Sequence, residues 1–174
     1  MEKVLAEELR ELEFQDLTPI IGGVEFIGDW YQVWRANVYS RTATRILVRL
    51  GEFPAVHLSQ LDKKARKFPW QEHLKAQHPV RVEVVSRKSK IYHARAAAER
   101  IENAIVFSVG NRISQDADIC IKVRIEKNLV KMSIDSTGEA FTKEAISLSP
   151  VKHQCVKRWQ QHFYGCANLI LHSP

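Results

Sequence analysis

The stretch Gly22-Gly23-Val24-Glu25-Phe26-Ile27-Gly28-Asp29-Trp30-Tyr31-Gln32-Val33-Trp34-Arg35-Ala36-Asn37-Val38 decides the fold reading, because three local signals follow one another in it. Pro19-Ile20-Ile21-Gly22-Gly23 predicts a turn, and Val24-Glu25-Phe26-Ile27 a short strand ended by Gly28. Asp29 then stands where a helix needs an N-cap acceptor, and Trp30, Val33, Trp34, Ala36, Asn37, Val38 and Ser40 carry the helix forward. Upstream, Leu5, Leu9 and Leu12 recur at spacings of four and three, which predicts an amphipathic helix over about residues 2–13. Downstream, Ile46-Leu47-Val48-Arg49-Leu50 predicts a strand ending near Phe53-Pro54.

A second block follows. Leu58, Leu61 and Ala65 give a helical pattern from His57 to Lys67, broken by Phe68-Pro69-Trp70. Val80 to Val84 alternates with period two and predicts a strand, and Ser86-Arg87-Lys88-Ser89-Lys90 is a basic polar loop. Tyr92 to Val109 carries the strongest helical pattern, with Ala96, Ala97, Ile101, Ala104, Ile105 and Ser108 on one side and Gly110 as its stop. Ile119–Ile125 and Leu129–Ile134 predict a hairpin turning at Lys127-Asn128. The order of elements implies an α+β fold with mostly antiparallel sheets.

The 174-residue chain is 45% apolar and 26% charged, which excludes a disordered or fibrous class. No apolar run reaches the roughly 18 residues a membrane helix needs, and the acidic start Met1 to Arg10 does not resemble a signal peptide. Three cysteines make no disulfide framework, so a cytoplasmic location is expected. The net charge of +6 is uneven along the chain. Between Arg81 and Arg100 six basic residues stand against two acidic ones, which points to a surface facing a polyanion, with nucleic acid as the leading candidate.

The run from Gly22 to Ala55, containing Arg35-Ala36-Asn37-Val38-Tyr39-Ser40-Arg41-Thr42-Ala43-Thr44-Arg45 and Glu52-Phe53-Pro54-Ala55, resembles one family. It is similar to the N-terminal region of bacterial methyltransferases that place guanine-N2 marks on large-subunit ribosomal RNA. Ser86 to His93, Ala96 to Ile101 and Ile134-Asp135-Ser136-Thr137-Gly138-Glu139 extend the resemblance over about residues 1–140. It implies an incomplete ferredoxin-like domain over residues 1–53, lacking the family's first strand, then a THUMP domain, an RNA-binding module, over residues 54–140. Residues 141–174 depart from the family and read as a divergent tail, the product of a frameshift or a gene remnant. The absent first strand is expected to leave an open sheet edge that invites self-association.

Transfer of a methyl group from S-adenosylmethionine needs a glycine-rich turn after a strand and a carboxylate for the cofactor's ribose. The family adds an Asn/Asp-Pro-Pro-aromatic motif for the exocyclic amine. Neither motif is in this sequence, so no cofactor and no catalysis are expected of this chain alone. The expected RNA contacts are Arg87, Lys88 and Lys90 on phosphates, Ser89 within the same loop, Tyr92 and His93 stacked on an exposed base, and Arg95. The plainer alternative packs Tyr92 in the core and leaves the lysines merely solvated. Arg41 and Arg45 extend the basic surface onto the ferredoxin-like domain, whereas Arg35 and Arg49 suit ion pairs with Glu25 or Glu52, and Trp30, Trp34 and Trp70 suit core packing. His153, Cys155, His162 and Cys166 lack the spacing of a zinc site, so no metal is expected, and Cys120 is expected to pack within its strand. Three functions stay open: an RNA-binding module, an RNA-delivery subunit for a separately encoded methyltransferase domain, and a non-functional remnant.

Overall fold

The computed structural model describes residues 2–76, 78–137 and 167–172. The chain divides into two compact units, residues 1–49 with 135–174, and residues 50–134. The sequence reading places this boundary at 53/54 and does not return the chain to the first unit.

In the first unit, α1 (Glu2–Glu11) buries Leu5, Ala6 and Leu9 along one stripe, as the leucine spacing predicts. Then β1 (Thr18–Ile20) pairs antiparallel with β2 (Gly23–Gly28) across Ile21-Gly22, where Gly22 takes φ +86, a conformation that glycine adopts at little cost. Asp29 caps α2 (Trp30–Tyr39) in a reciprocal box: its side chain accepts from the Gln32 N–H at 2.9 Å, and the Gln32 side chain accepts from the Asp29 N–H at 3.1 Å. The first half of β3 (Arg45–Pro54) completes the local part of this unit.

Between β2 and β3 lies β7 (Ala167–His172), antiparallel to both, so the strand order is β1-β2-β7-β3. These six residues fall in what the sequence reading treats as a tail. Nothing in their local pattern announces a strand whose partners lie so far back in the chain. Leu5, Leu9, Phe14, Val24, Phe26, Val33, Ala36, Ile46 and Val48 form the core of the unit. Each fully buried large aliphatic among them contributes about 1.5–3 kcal/mol.

In the second unit, α3 (Leu58–Lys67) packs against α5 (Ala94–Val109), and Leu61, Ala65, Ile101, Ala104 and Ile105 of these helices are fully buried. The break at Phe68-Pro69 leads into the short α4 (Trp70–His73), where Trp70 is buried and donates its indole N–H to the Ala65 carbonyl at 2.8 Å. Trp30 and Trp34, by contrast, are half-buried. Next, β4 (Val80–Arg87) pairs with β5 (Ile119–Glu126) in parallel through the α5 crossover. This parallel pair stands beside the antiparallel ladders that the sequence pattern leads one to expect. The hairpin from β5 to β6 (Leu129–Asp135) turns on Lys127 and Asn128, with φ +50 and +64, the two left-handed residues of a tight hairpin turn. Cys120 is buried within β5, a free thiol, as its strand position predicts.

Glu8 is a structural residue that the sequence reading passes over. Its carboxylate accepts the Arg41 N–H at 2.6 Å, the Ser40 hydroxyl at 3.0 Å, the Thr42 N–H at 3.2 Å and the Thr42 hydroxyl, fixing the turn after α2. Burial pushes this carboxyl up, but the four hydrogen bonds outweigh it and hold it below the ordinary 4.5. The stabilisation is therefore fully present above pH 4.5 and lost as pH falls through the lowered folded value. Glu8→Ala should cost about 1–2 kcal/mol at pH 7, a range set by a partly exposed hydrogen-bond cluster. In urea melts the gap between variant and parent should narrow as pH falls through the lowered value; a gap that does not change with pH would contradict this role of Glu8.

Candidate nucleic-acid interface

The basic loop lies between β4 and α5, and two anchors hold it. Ile91 is buried, which pins the loop to the core of its unit. On the polar side the Asn128 carbonyl oxygen accepts the Ser89 hydroxyl at 3.1 Å and the Lys90 N–H at 3.0 Å, while the Asn128 backbone carbonyl accepts the Ala55 N–H at 2.8 Å. The Ser86 hydroxyl donates to the Ile91 carbonyl, and the Ile91 N–H donates to the Ser89 hydroxyl at 3.3 Å. Lys88 takes φ +48 at the apex. With the backbone fixed in this way, Arg87, Lys88 and Lys90 are exposed and make no ion pair among the described residues.

The helix begins two residues later than the pattern predicts, at Ala94, because His93 keeps ψ 87 and cannot join the helical turn. Tyr92 and His93 consequently stand outside it. Tyr92 is 75% exposed, with its ring centroid 4.1 Å from that of His93 and the planes tilted by 44°. The alternative that packs Tyr92 in the core does not describe this geometry. Ala97 is the first residue to donate within the helix, to the His93 carbonyl at 3.0 Å, and His93 caps nothing with its side chain. The first-turn N–H groups, with the positive end of the helix dipole, therefore remain for an anion. Tyr92, His93, Ala94, Arg95, Ala96 and Glu99 line an open depression of about 400 Å³ at this terminus. Arg95 lies 3.4 Å from Glu99, yet its side chain is 95% exposed, so the pair holds it weakly and a phosphate could displace the carboxylate.

Ser86 to Arg95 thus all belong to the second unit, with the loop cations on one side of the buried Ile91 and the aromatic pair and helix N-terminus on the other in sequence. Arg41 and Arg45 belong to the first unit and are committed differently. The Arg41 side chain is exposed while its backbone N–H serves Glu8. Arg45 pairs with Asp135, whose side chain is wholly buried, so part of its guanidinium is used within the fold. Arg49 lies 3.7 Å from Glu25, the partner that the sequence suggests. Arg35 instead donates to the Leu12 carbonyl at 2.7 Å and sits over the Phe14 and Tyr31 rings. His153, Cys155, His162 and Cys166 lie outside the described residues.

Asn128 is the residue that sequence reasoning reads only as a turn. Its signal was present: an asparagine in a hairpin turn keeps a side-chain amide that glycine would lack. Asn128→Gly should keep the turn, since φ +64 suits glycine, while deleting the acceptor shared by Ser89 and Lys90. Amide exchange at Lys90 should rise about tenfold, with a global cost of only about 0.5–1.5 kcal/mol. Unchanged exchange at Lys90 would show that the loop is held by other means.

The family model of the RlmL ferredoxin-like domain matches residues 1–47, and that of the THUMP domain matches residues 55–135. The ribosomal RNA large subunit methyltransferase K/L of Syntrophotalea carbinolica is 30% identical over 163 residues, which is 87% of this chain and 23% of the relative. The same enzyme of Cellvibrio japonicus is 30% identical over 155 residues, 85% of this chain and 21% of that one. Among solved structures, one described as a predicted N6-adenine-specific DNA methylase from Listeria monocytogenes superposes with a TM-score of 0.74 at 27% identity, covering 86% of this chain and 41% of that one. The chain spans under a quarter of the length of the two K/L relatives. Two units of α+β structure, these matched ranges and these relatives agree: the chain carries an RlmL ferredoxin-like domain followed by a THUMP domain.

Proposed function

We propose that the chain is the RNA-binding module of a ribosomal RNA (guanine-N2-) methyltransferase, positioning RNA for an S-adenosylmethionine-dependent methyltransferase domain that this sequence does not contain. The observation that carries the reading is the stretch from Ser86 to Arg95, where three exposed cations without an ion pair among the described residues, an exposed aromatic pair and an open helix N-terminus follow one another. In it Arg87, Lys88 and Lys90 neutralise phosphates, releasing counterions. Ser89 holds the backbone for them, Arg95 and the first-turn N–H groups of α5 take a further phosphate, and Tyr92 with His93 stacks an unpaired base. Arg41, with its exposed side chain, is a further candidate for a phosphate contact, whereas Arg45 is held by Asp135. The chain by itself transfers no methyl group, because the glycine turn and the Pro-Pro motif are missing from its sequence.

A second reading is an RNA-delivery subunit that brings RNA to a separately encoded methyltransferase domain. Both readings place the partner RNA on the same surface. They differ in whether the catalytic segment is covalently attached.

Arg87→Glu with Lys88→Glu reverses two exposed charges on a loop held by backbone and Asn128 contacts, so the fold should survive. The salt slope of log affinity should drop by about 0.7–0.9 for each lost phosphate contact, with no change in sequence preference. The control pair Lys3→Glu with Arg10→Glu changes net charge equally and should weaken binding much less. If both doubles weaken RNA binding by the same factor, only overall charge is at work and the proposed surface fails. Tyr92→Ala should cost about 1–3 kcal/mol for single-stranded RNA, and Tyr92→Phe little. Calorimetric titration of the chain with S-adenosylmethionine should give no saturable heat.

A further inference from the structure

β2 and β3 are joined by α2, yet they do not pair with each other. Each runs antiparallel to β7, so they are parallel to one another and one strand-width apart, roughly 9–10 Å at the usual strand spacing. The strand between them uses both of its edges. Ala167 to His172 are in register with Gly28 to Gly23 on one side, and Asn168 to His172 with Arg49 to Arg45 on the other. Neither neighbour is close to it in sequence, and no tight turn sets its register. Leu169 lies opposite Phe26 and Val48, and Leu171 opposite Val24 and Ile46, all four of which are core residues of the flanking strands. Ile170 is buried, opposite Glu25 and Leu47.

The acceptor is therefore built by residues 2–49, while six residues from far along the chain fill it. Withdrawing them would strip two ladders at once, leaving unpaired N–H and C=O groups along both walls next to an apolar core. A channel of that kind recognises an extended backbone first and alternating side chains second, as strand addition does.

We propose that the channel between β2 and β3 is a strand-binding site, that Ala167–His172 is its docking strand, and that the site accepts this same segment in trans from a second copy of the chain. The strand binds its acceptor instead of folding with a sequence neighbour, so exchange between copies keeps both ladders and converts two monomers into a reciprocal dimer.

The test starts with the full chain carrying Leu169→Pro, which removes a ladder N–H from a central strand. Amide exchange in β2 and in residues 45–49 should accelerate about a hundredfold, while amides of β4 and β5 keep their protection. The peptide Ala-Asn-Leu-Ile-Leu-His-Ser-Pro, residues 167–174, should restore β2 protection at millimolar concentration; the same peptide with proline in place of its first leucine should not. Unchanged exchange in the variant would overturn the assignment of the strand. Loss without rescue would overturn docking in trans.

If Leu169→Pro precipitates, cysteines decide the matter in the otherwise unaltered chain. Ile27 and Asn168 are in direct register, within the separation a disulfide spans. Ile27→Cys and Asn168→Cys in one chain should oxidise to a bond located by peptide mass mapping, and no such bond would sink the register. Mixed chains carrying one substitution each should give a dimer linked through those two positions. A mixture that yields none, even after a cycle of unfolding and refolding together, would refute exchange.

Discussion

The clasp at Ile46 is the interaction on which the arrangement of the chain depends. The second unit is an insertion: the chain leaves the first unit after Arg49 and re-enters it at Asp135. Ser136 donates both its N–H, at 3.0 Å, and its hydroxyl, at 2.9 Å, to the Ile46 carbonyl, while the Ile46 N–H donates to the Thr137 hydroxyl at 2.8 Å. Buried Asn37 donates to Ser136 at 3.1 Å and back to the Val33 carbonyl at 2.8 Å, linking α2 to the same point. Asp135 then accepts Arg45 and the Thr137 N–H, so a wholly buried carboxylate is paired instead of stranded. Removing one partner from such a site leaves unsatisfied groups costing about 1–3 kcal/mol each, which makes the clasp more than the sum of its bonds. It fixes the outgoing and returning segments side by side within one unit. Everything from Leu50 to Ile134 can then fold as a closed insertion.

The same accounting separates the basic residues into two populations. Arg35, Arg45 and Arg49 are spent inside the first unit, on a carbonyl and two aromatic rings, on Asp135, and on Glu25. Lys122 and Arg81 are spent on Glu83 in the second unit. A charge held in this way screens itself and offers little field to a polyanion. Arg87, Lys88 and Lys90 make no ion pair among the described residues, and Asn128 and Ser89 already hold their backbone, so ordering that backbone adds little to the cost of engagement. The contrast between a hydrogen-bonded backbone and exposed cations, more than the number of cations, makes the loop a good candidate among the described residues.

The sequence made the local elements legible wherever a capping residue or a period stated them. Asp29 announced α2 through its acceptor, the leucine spacing announced α1, and Gly110, at φ +78, marked the end of α5. Long-range choices were hidden. That Arg45 would serve Asp135 depends on a pairing ninety positions away that no local pattern encodes. β7 was hidden for the same reason: its strand character comes from two edges that wait for it, and a short run such as Ala167–His172 has little propensity signal of its own. Of the candidate site, the charges could be read, while the start of α5 at Ala94 could not. Whether Tyr92 joins the helix or stands in solvent turns on the ψ of a single histidine.

The affinity such a surface can supply bears on what the module is for. Three free cations and one helix terminus offer only a few phosphate contacts, and nonspecific binding of that kind sits at about 10⁻⁴–10⁻⁶ M at physiological salt. Stacking of a base on Tyr92, as proposed, would add about 1–3 kcal/mol without reading sequence strongly. A surface of this strength cannot select one nucleotide of a ribosomal RNA. It can raise the local concentration of RNA around a second site to the millimolar range, provided the two are physically linked. Under the proposed function, selection falls to the methyltransferase domain that the module serves, while the loop at Arg87–Lys90 supplies residence time. On this argument a rigid backbone at Asn128 matters more than further charge would. A loop that fluctuated would lose the geometric offset between where RNA is held and where it is modified, and with it the one contribution that a weak, sequence-tolerant binder can make.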